Sequence, residues 1–139
     1  MKIQFVANVI PHGKQRARTT MRGGYAHSYT PRETVEFERE IGKACQLACR
    51  GVQMPENAAL MMDATFYMPI PKSTPKRLRE RMATERVFHT KKPDTSNILK
   101  SVEDAAIGIA YRDDAQLACV RAEKYYSERP RVEVTIRTI

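Results

Sequence analysis

The chain has 139 residues, with 24 Lys and Arg against 16 Asp and Glu, a formal net charge of +8 and three cysteines. That length suits one hydrophobic core and is short for two domains. No apolar run reaches the length a membrane helix needs, and the cysteines and the scattered His12, His27 and His89 have no zinc-ligand spacing. The excess of basic side chains points to an anionic partner, and nucleic acid ranks ahead of a membrane surface because no basic helix with a strong apolar face is present. Residues 2–9 place Ile3, Phe5, Ala7 and Val9 on one side, the pattern of a half-buried strand that Pro11 ends. The N-terminus has no signal-peptide pattern, and the expected location is cytoplasmic, with Cys45, Cys49 and Cys119 as buried, reduced thiols.

Residues 12–29 read as a loop or a loose hairpin turning at Gly23-Gly24. Lys14, Arg16, Arg18 and Arg22, with Tyr25 and Tyr29 following, form a segment that can lay cations on phosphates and an aromatic ring on a base or sugar; a solvated loop is the plainer alternative. Thr30-Pro31-Arg32-Glu33 predicts a helix start, with Thr30 as the cap and Glu33 closing a capping box, and the helix runs to about Arg50 before Gly51. A strand is expected over 58–68, with Asp63 facing solvent and the methionines as core or interface. Lys72, Lys76, Arg77, Lys91 and Lys92 belong to a basic stretch with a short helix after Pro75, which reads as a phosphate-binding element leading into Asp94. Two more strands are expected, over 116–126 and over 131–138, the second antiparallel to the first. The order predicts a single α+β domain over residues 1–139, a mixed β-sheet with helices packed on one face.

An island of acids lies inside this basic chain. Asp94 closes an extended segment after Pro93, and Thr95 or Ser96 is placed to cap a helix carrying Ile98, Leu99, Val102, Ala105, Ala106 and Ile109 on one stripe. Asn97, Lys100 and Asp104 stack on another side, Gly108 is placed to end the helix, and Asp113-Asp114 follow in a turn. Each acid alone is ordinary cap or turn chemistry. Together, carboxylates from a strand–helix junction, a helix face and a turn are the kind of set that holds Mg2+, a hard cation taking oxygen ligands.

Pro93-Asp94-x-x-Asn97-x-x-Lys100-x-x-x-Asp104-Ala105, followed by Asp113-Asp114-x-Gln116, resembles the signature of the RusA-type Holliday junction resolvases. The resemblance is dense over about residues 91–120 and loose over most of the chain. It implies a small, Mg2+-dependent, homodimeric endonuclease, often phage or prophage encoded, that resolves four-way DNA junctions by paired symmetric cuts in recombination and repair. Carried over, the family's catalytic positions fall on Asp94, Lys100 and Asp114. Metal ligation is expected from Asp94 and Asp114 with help from Asp104 or Asp113, and Asn97 orients Asp94 or a water. Lys100 either offsets charge in the transition state or forms a plain ion pair with Asp104. The family commonly reads Asp-x-Asp-Asn, and Ser96 stands here at the second aspartate. A neutral hydroxyl removes a charge from the site, so Asp104 compensates, or Ser96 holds a water, or the chain is a junction-binding module with impaired catalysis.

Overall fold

In the computed structural model, which describes residues 1–139, strand β1 (Lys2–Ala7) is followed by a hairpin of β2 (Arg18–Arg22) and β3 (Tyr25–Tyr29), helix α1 (Arg32–Cys49) and strand β4 (Leu60–Pro69). Helices α2 (Lys76–Thr84) and α3 (Thr95–Ala106), a 3-10 turn at Asp114–Gln116 and strands β5 (Leu117–Ser127) and β6 (Arg131–Thr138) complete the chain. The main sheet has the order β1-β6-β4-β5; β4 and β5 are parallel and the other pairs antiparallel. The parallel pair is possible because the long connection from Ile70 to Gln116, with two helices, carries the chain back to the same end.

Period-two alternation decides the two faces of this sheet. Ile3, Phe5 and Ala7 of β1, Val132, Val134 and Ile136 of β6, and Leu60, Met62, Ala64, Phe66 and Met68 of β4 are buried on one face. Against it lie Phe37, Ile41, Cys45 and Cys49 of α1 and Ile98, Val102 and Ala106 of α3, in one core cluster of 21 residues. The α+β reading with helices on one face therefore holds. The methionines Met62 and Met68 belong to this core and are not available as an interface.

Several local expectations are corrected. Thr30 does not cap α1: Pro31 stands at that position, with its carbonyl accepting from Thr34 and Val35 N–H. Arg50 at φ 51° and Gly51 at φ 78° then close the helix in the left-handed region. β6 runs opposite to β5, yet β4 lies between them. The short link of residues 128–130 reads as a hairpin turn, but at about 3.3–3.6 Å per residue it can step over one strand and span two strand spacings of about 4.8 Å. Cys45 and Cys49 are buried with their sulfurs 3.9 Å apart, and burial pushes the Cys45 thiol up to about 12. Cys119 is exposed, because the β4–β5 register puts it opposite Met61 on the face opposite α1 and α3.

The stretch after α2 lies along the free edge of β5. His89 N–H donates to the Lys124 carbonyl at 3.0 Å, and Tyr126 N–H to the Val87 carbonyl at 3.0 Å. The His89 ring packs edge-on against Tyr126, with its Nδ1 buried and unpaired. Burial, followed by the Lys124 and Lys91 charges, lowers its pKa below the ordinary 6.5. A base with a lowered folded-state pKa loses stability as pH falls from 6.5 through that value, because the unfolded chain takes the proton first. The thermal midpoint is expected to drop between pH 7 and pH 5, and His89→Phe to flatten that part of the profile. Equal slopes for both proteins would remove His89 as the cause.

Candidate active site

The N-terminus of α3 presents Asp94. Its backbone carbonyl accepts from Asn97 and Ile98 N–H at 3.1 and 3.2 Å, so Asp94, and neither Thr95 nor Ser96, occupies the cap position. Its carboxylate makes no capping hydrogen bond. One oxygen, Oδ1, accepts from Lys92 Nζ at 2.9 Å, and the side chain is half exposed. Ser96 and Asn97 are exposed on the next turn, and the Asn97 carbonyl accepts from Lys14 N–H at 3.0 Å.

Asp114 arrives from the other side. The turn that carries it is tied by its neighbours: the Asp113 carboxylate accepts from Ala115 N–H at 2.9 Å, and Gln116 Oε1 accepts from Arg112 and Asp113 N–H at 3.1 and 3.3 Å. Gln116 Nε2 donates to the Pro55 and Ala58 carbonyls, anchoring the turn to the loop before β4. The Asp-Asp-x-Gln motif thus divides its labour. Asp113 and Gln116 build the turn, and Asp114 is presented. Asp114 Oδ1 is buried and has no hydrogen-bond partner. Its charge and the burial of Glu103 raise the Glu103 carboxyl above its ordinary value, burial being the larger cause. Tyr111, fully buried, is pushed up for the same two reasons and donates its hydroxyl to the Glu103 carbonyl at 3.0 Å.

Lys100 links the helix to the turn. Its Nζ lies 3.1 Å from Asp104 Oδ1 and 3.9 Å from Asp114 Oδ2, and the Asp104 hydrogen bond chiefly raises its pKa. The i,i+4 ion pair is therefore present, and it holds the ammonium beside Asp114. The other Asp104 oxygen, Oδ2, is 3.1 Å from Lys14 Nζ, which also pairs with Glu38 at 2.5 Å. Burial pulls Lys14 down, but its bonds to Glu38 and Asp104 outweigh it and leave the ammonium above its ordinary value. Lys14, expected to bind phosphate, is instead engaged by two acids. Arg16, Arg18, Arg22, Lys72, Lys76, Arg77, Lys91 and Lys92 are all exposed.

The four acids expected at a metal do not gather at one point. Asp94 and Asp104 are ten residues apart on one helix, about 15 Å along its axis at about 1.5 Å per residue. Asp113 is turned to its cap and both Asp104 oxygens face lysines. No group of three Asp, Glu, His or Cys side chains is arranged to hold a metal ion. The Asp114 side chain is about a third exposed, with one oxygen buried and unpartnered and the other, Oδ2, facing Lys100. Mg2+ is commonly held by one or two carboxylates, with waters and substrate phosphates completing its shell, so it does not require a closed cage of acids.

One residue that supports the Asp94 approach escaped the sequence reading. Lys124 is 8% exposed on the helix-covered face of β5, and its Nζ donates to the Lys91 and Pro93 carbonyls, both at 2.7 Å. The signal was a lysine on the strand positions 122, 124 and 126, whose partners in β4 are Ala64, Phe66 and Met68. Burial lowers its pKa, while the Asp94 charge acts the other way. Lys124 thereby pins the approach to Asp94. A second prop is Gly13, where a Cβ would stand 2.8 Å from Pro93 Cβ. Gly13→Ala is expected to push the loop from Pro93 and destabilise the fold by about 1–3 kcal/mol, the usual cost of overpacking. Thermal unfolding checks this, and an unchanged midpoint would show that the loop yields freely.

A family model described as endodeoxyribonuclease RusA matches residues 8–137. The chain is also similar to the uncharacterized protein YqaN of Bacillus subtilis (strain 168), with 32% identity over 142 residues covering 99% of this chain and 96% of the relative. The family match spans the loop that props Pro93, the helix presenting Asp94 and Lys100, and the turn presenting Asp114. On this evidence the chain belongs to the RusA endodeoxyribonuclease family.

Proposed function

We propose that the protein is a Mg2+-dependent, structure-selective endonuclease that resolves four-way DNA junctions by paired, symmetric phosphodiester hydrolysis. The observation that carries this reading is the Asp114 carboxylate, partly buried and facing Lys100 Nζ with Oδ2 at 3.9 Å, in a chain of the RusA family. Asp94 and Asp114 would hold the cation. When bound, Mg2+ supplies polarisation of the scissile phosphate and a lowered pKa for the attacking water. Lys100, steadied by Asp104, neutralises charge that develops on the phosphoryl oxygens as the water's oxygen bonds to phosphorus and the strand's oxygen leaves. Lys124 and Gly13 keep the Asp94 approach in place, and Asn97 orients Asp94 or a water. The exposed cations of the β2–β3 hairpin and of α2 bind flanking phosphates, so affinity falls steeply with salt. A two-fold homodimer would present two such sites to the two equivalent strands of a junction.

Ser96 and the lack of a three-acid group favour a second reading, a junction-binding module with impaired catalysis. A labelled synthetic four-way junction and a matched linear duplex, each with Mg2+ or EDTA, separate the two. Paired symmetric nicks that need Mg2+ support the enzyme. Junction-selective binding without cuts supports the module. No preference for the junction overturns both.

A further inference from the structure

The sheet face opposite α1 and α3 carries a row of aromatic rings at one end. The register places Tyr67 of β4 beside Tyr125 of β5 and Arg131 of β6, and the 87–89 segment adds Phe88 beyond Tyr125. Phe88 stacks on Tyr125 with ring centroids 4.8 Å apart and planes at 23°, and Tyr125 lies 6.2 Å from Tyr67. The Arg131 guanidinium sits 3.7 Å over Tyr67 and that of Arg86 is 5.2 Å from the Tyr125 ring centre. Tyr125 is buried beneath this array, whereas Phe88 is 61% exposed.

An exposed phenylalanine is ordinary when its backbone is free to fold it away. Here it is not, since the hydrogen bonds of Val87 and His89 to β5 hold the backbone on either side of it. The ring ends a rigid stack and offers its outer surface to solvent. Arginines flank it, Lys76 and Arg77 lie on the helix just before it, and Glu123 is engaged by Arg121 and by the Tyr125 hydroxyl. A rigid aromatic platform bordered by cations suits a nucleobase followed by its phosphates, and suits an apolar peptide less well. Phe88 is also six residues before Asp94, a reach of at most about 20 Å. Because Tyr125 and Lys124 point to opposite faces of β5, the segment wraps the sheet edge from Phe88 to the Asp94 approach.

We propose that Phe88, backed by Tyr125 and Tyr67 and flanked by Arg86, is a stacking site for an unpaired base of the DNA strand that passes the Asp94 site. This rests on the reading of the chain as a DNA-cutting enzyme and adds that it engages a base taken out of the duplex.

The chain has no tryptophan, so F88W introduces a single fluorescent reporter. In EDTA, its emission is expected to be quenched by an oligo-dT single strand and by a four-way junction, and far less by a fully paired linear duplex. F88A is expected to bind oligo-dT about tenfold more weakly than wild type, within the range for loss of one base stack. Equal quenching by the duplex, no quenching, or an unchanged oligo-dT affinity in F88A would overturn the site. An emission change that follows protein concentration without DNA would assign the surface to a second copy of the chain and overturn it too. Wild-type cleavage is scored separately. Junction cutting with a silent reporter would sink this inference alone, and quenching without cutting would sink the enzymatic reading alone.

Discussion

Asp114→Asn is expected to bind a four-way junction at least as tightly as wild type and to cut it on the order of a thousandfold more slowly. The substitution keeps the shape of the side chain and removes its charge. The 3-10 turn is built by Asp113 and Gln116 and does not use the Asp114 carboxylate, so the fold should survive. What is lost is the charge of a partly buried carboxylate that faces Lys100 at 3.9 Å. Metal stabilisation of a phosphoryl transition state amounts to several kcal/mol, and about 4 kcal/mol corresponds to roughly a thousandfold in rate. Binding should not suffer, since the exposed cations that meet the phosphates are elsewhere and one repulsive charge has gone. Single-turnover cleavage at saturating Mg2+, beside a gel-shift titration in EDTA, reads the two effects apart. Wild-type cutting by this variant would remove Asp114 from the chemistry.

Lys124→Met should cost both stability and activity, although the residue is outside the acidic motif. Methionine fills much of the same slot but donates nothing, so the Lys91 and Pro93 carbonyls lose a shared donor. A hydrogen bond to a charged group contributes about 1.5–3 kcal/mol, and a loss of stability in that range is expected on chemical denaturation. The activity loss has a different cause. The segment pinned by Lys124 ends at Asp94, and under the proposed function a carboxylate displaced by an ångström holds its cation poorly. Raising Mg2+ should therefore recover part of the cleavage in Lys124→Met and none in Asp114→Asn. A Lys124→Met protein that is less stable yet cuts normally at every Mg2+ concentration would confine the lysine to a structural role.

Much of this architecture was legible in the chain before any coordinates. The alternation of β1, β4 and β6, the apolar stripe of α3 and the glycine pair at the hairpin turn are local patterns. Each specifies its element because a pleated strand or a helix exposes its side chains at a fixed period. The family resemblance carried by Pro93 to Gln116 pointed to Asp94, Lys100 and Asp114, and the structure places them at the start of α3, on its face and in the 3-10 turn. The sequence alone also determined the charge excess and the presence of Ser96 in a position that the family commonly fills with aspartate.

What the sequence left open depended on distance through space. Whether four acids converge cannot be read from their order. The helical rise separates Asp94 from Asp104, and two lysines, one from a distant loop, claim the Asp104 oxygens. The insertion of β4 between β5 and β6 overrode a turn signal that any short link would give. Lys124 looked like one more cation of a basic chain until the parallel β4–β5 register set it opposite Phe66 and under the Asp94 approach. Phe88, one of the few apolar residues in a basic stretch, became the outer ring of a stack only because that stretch pairs with the sheet edge. Local periodicity is encoded in neighbouring residues; register, pairing order and the partners of a buried charge are settled only when the whole chain packs.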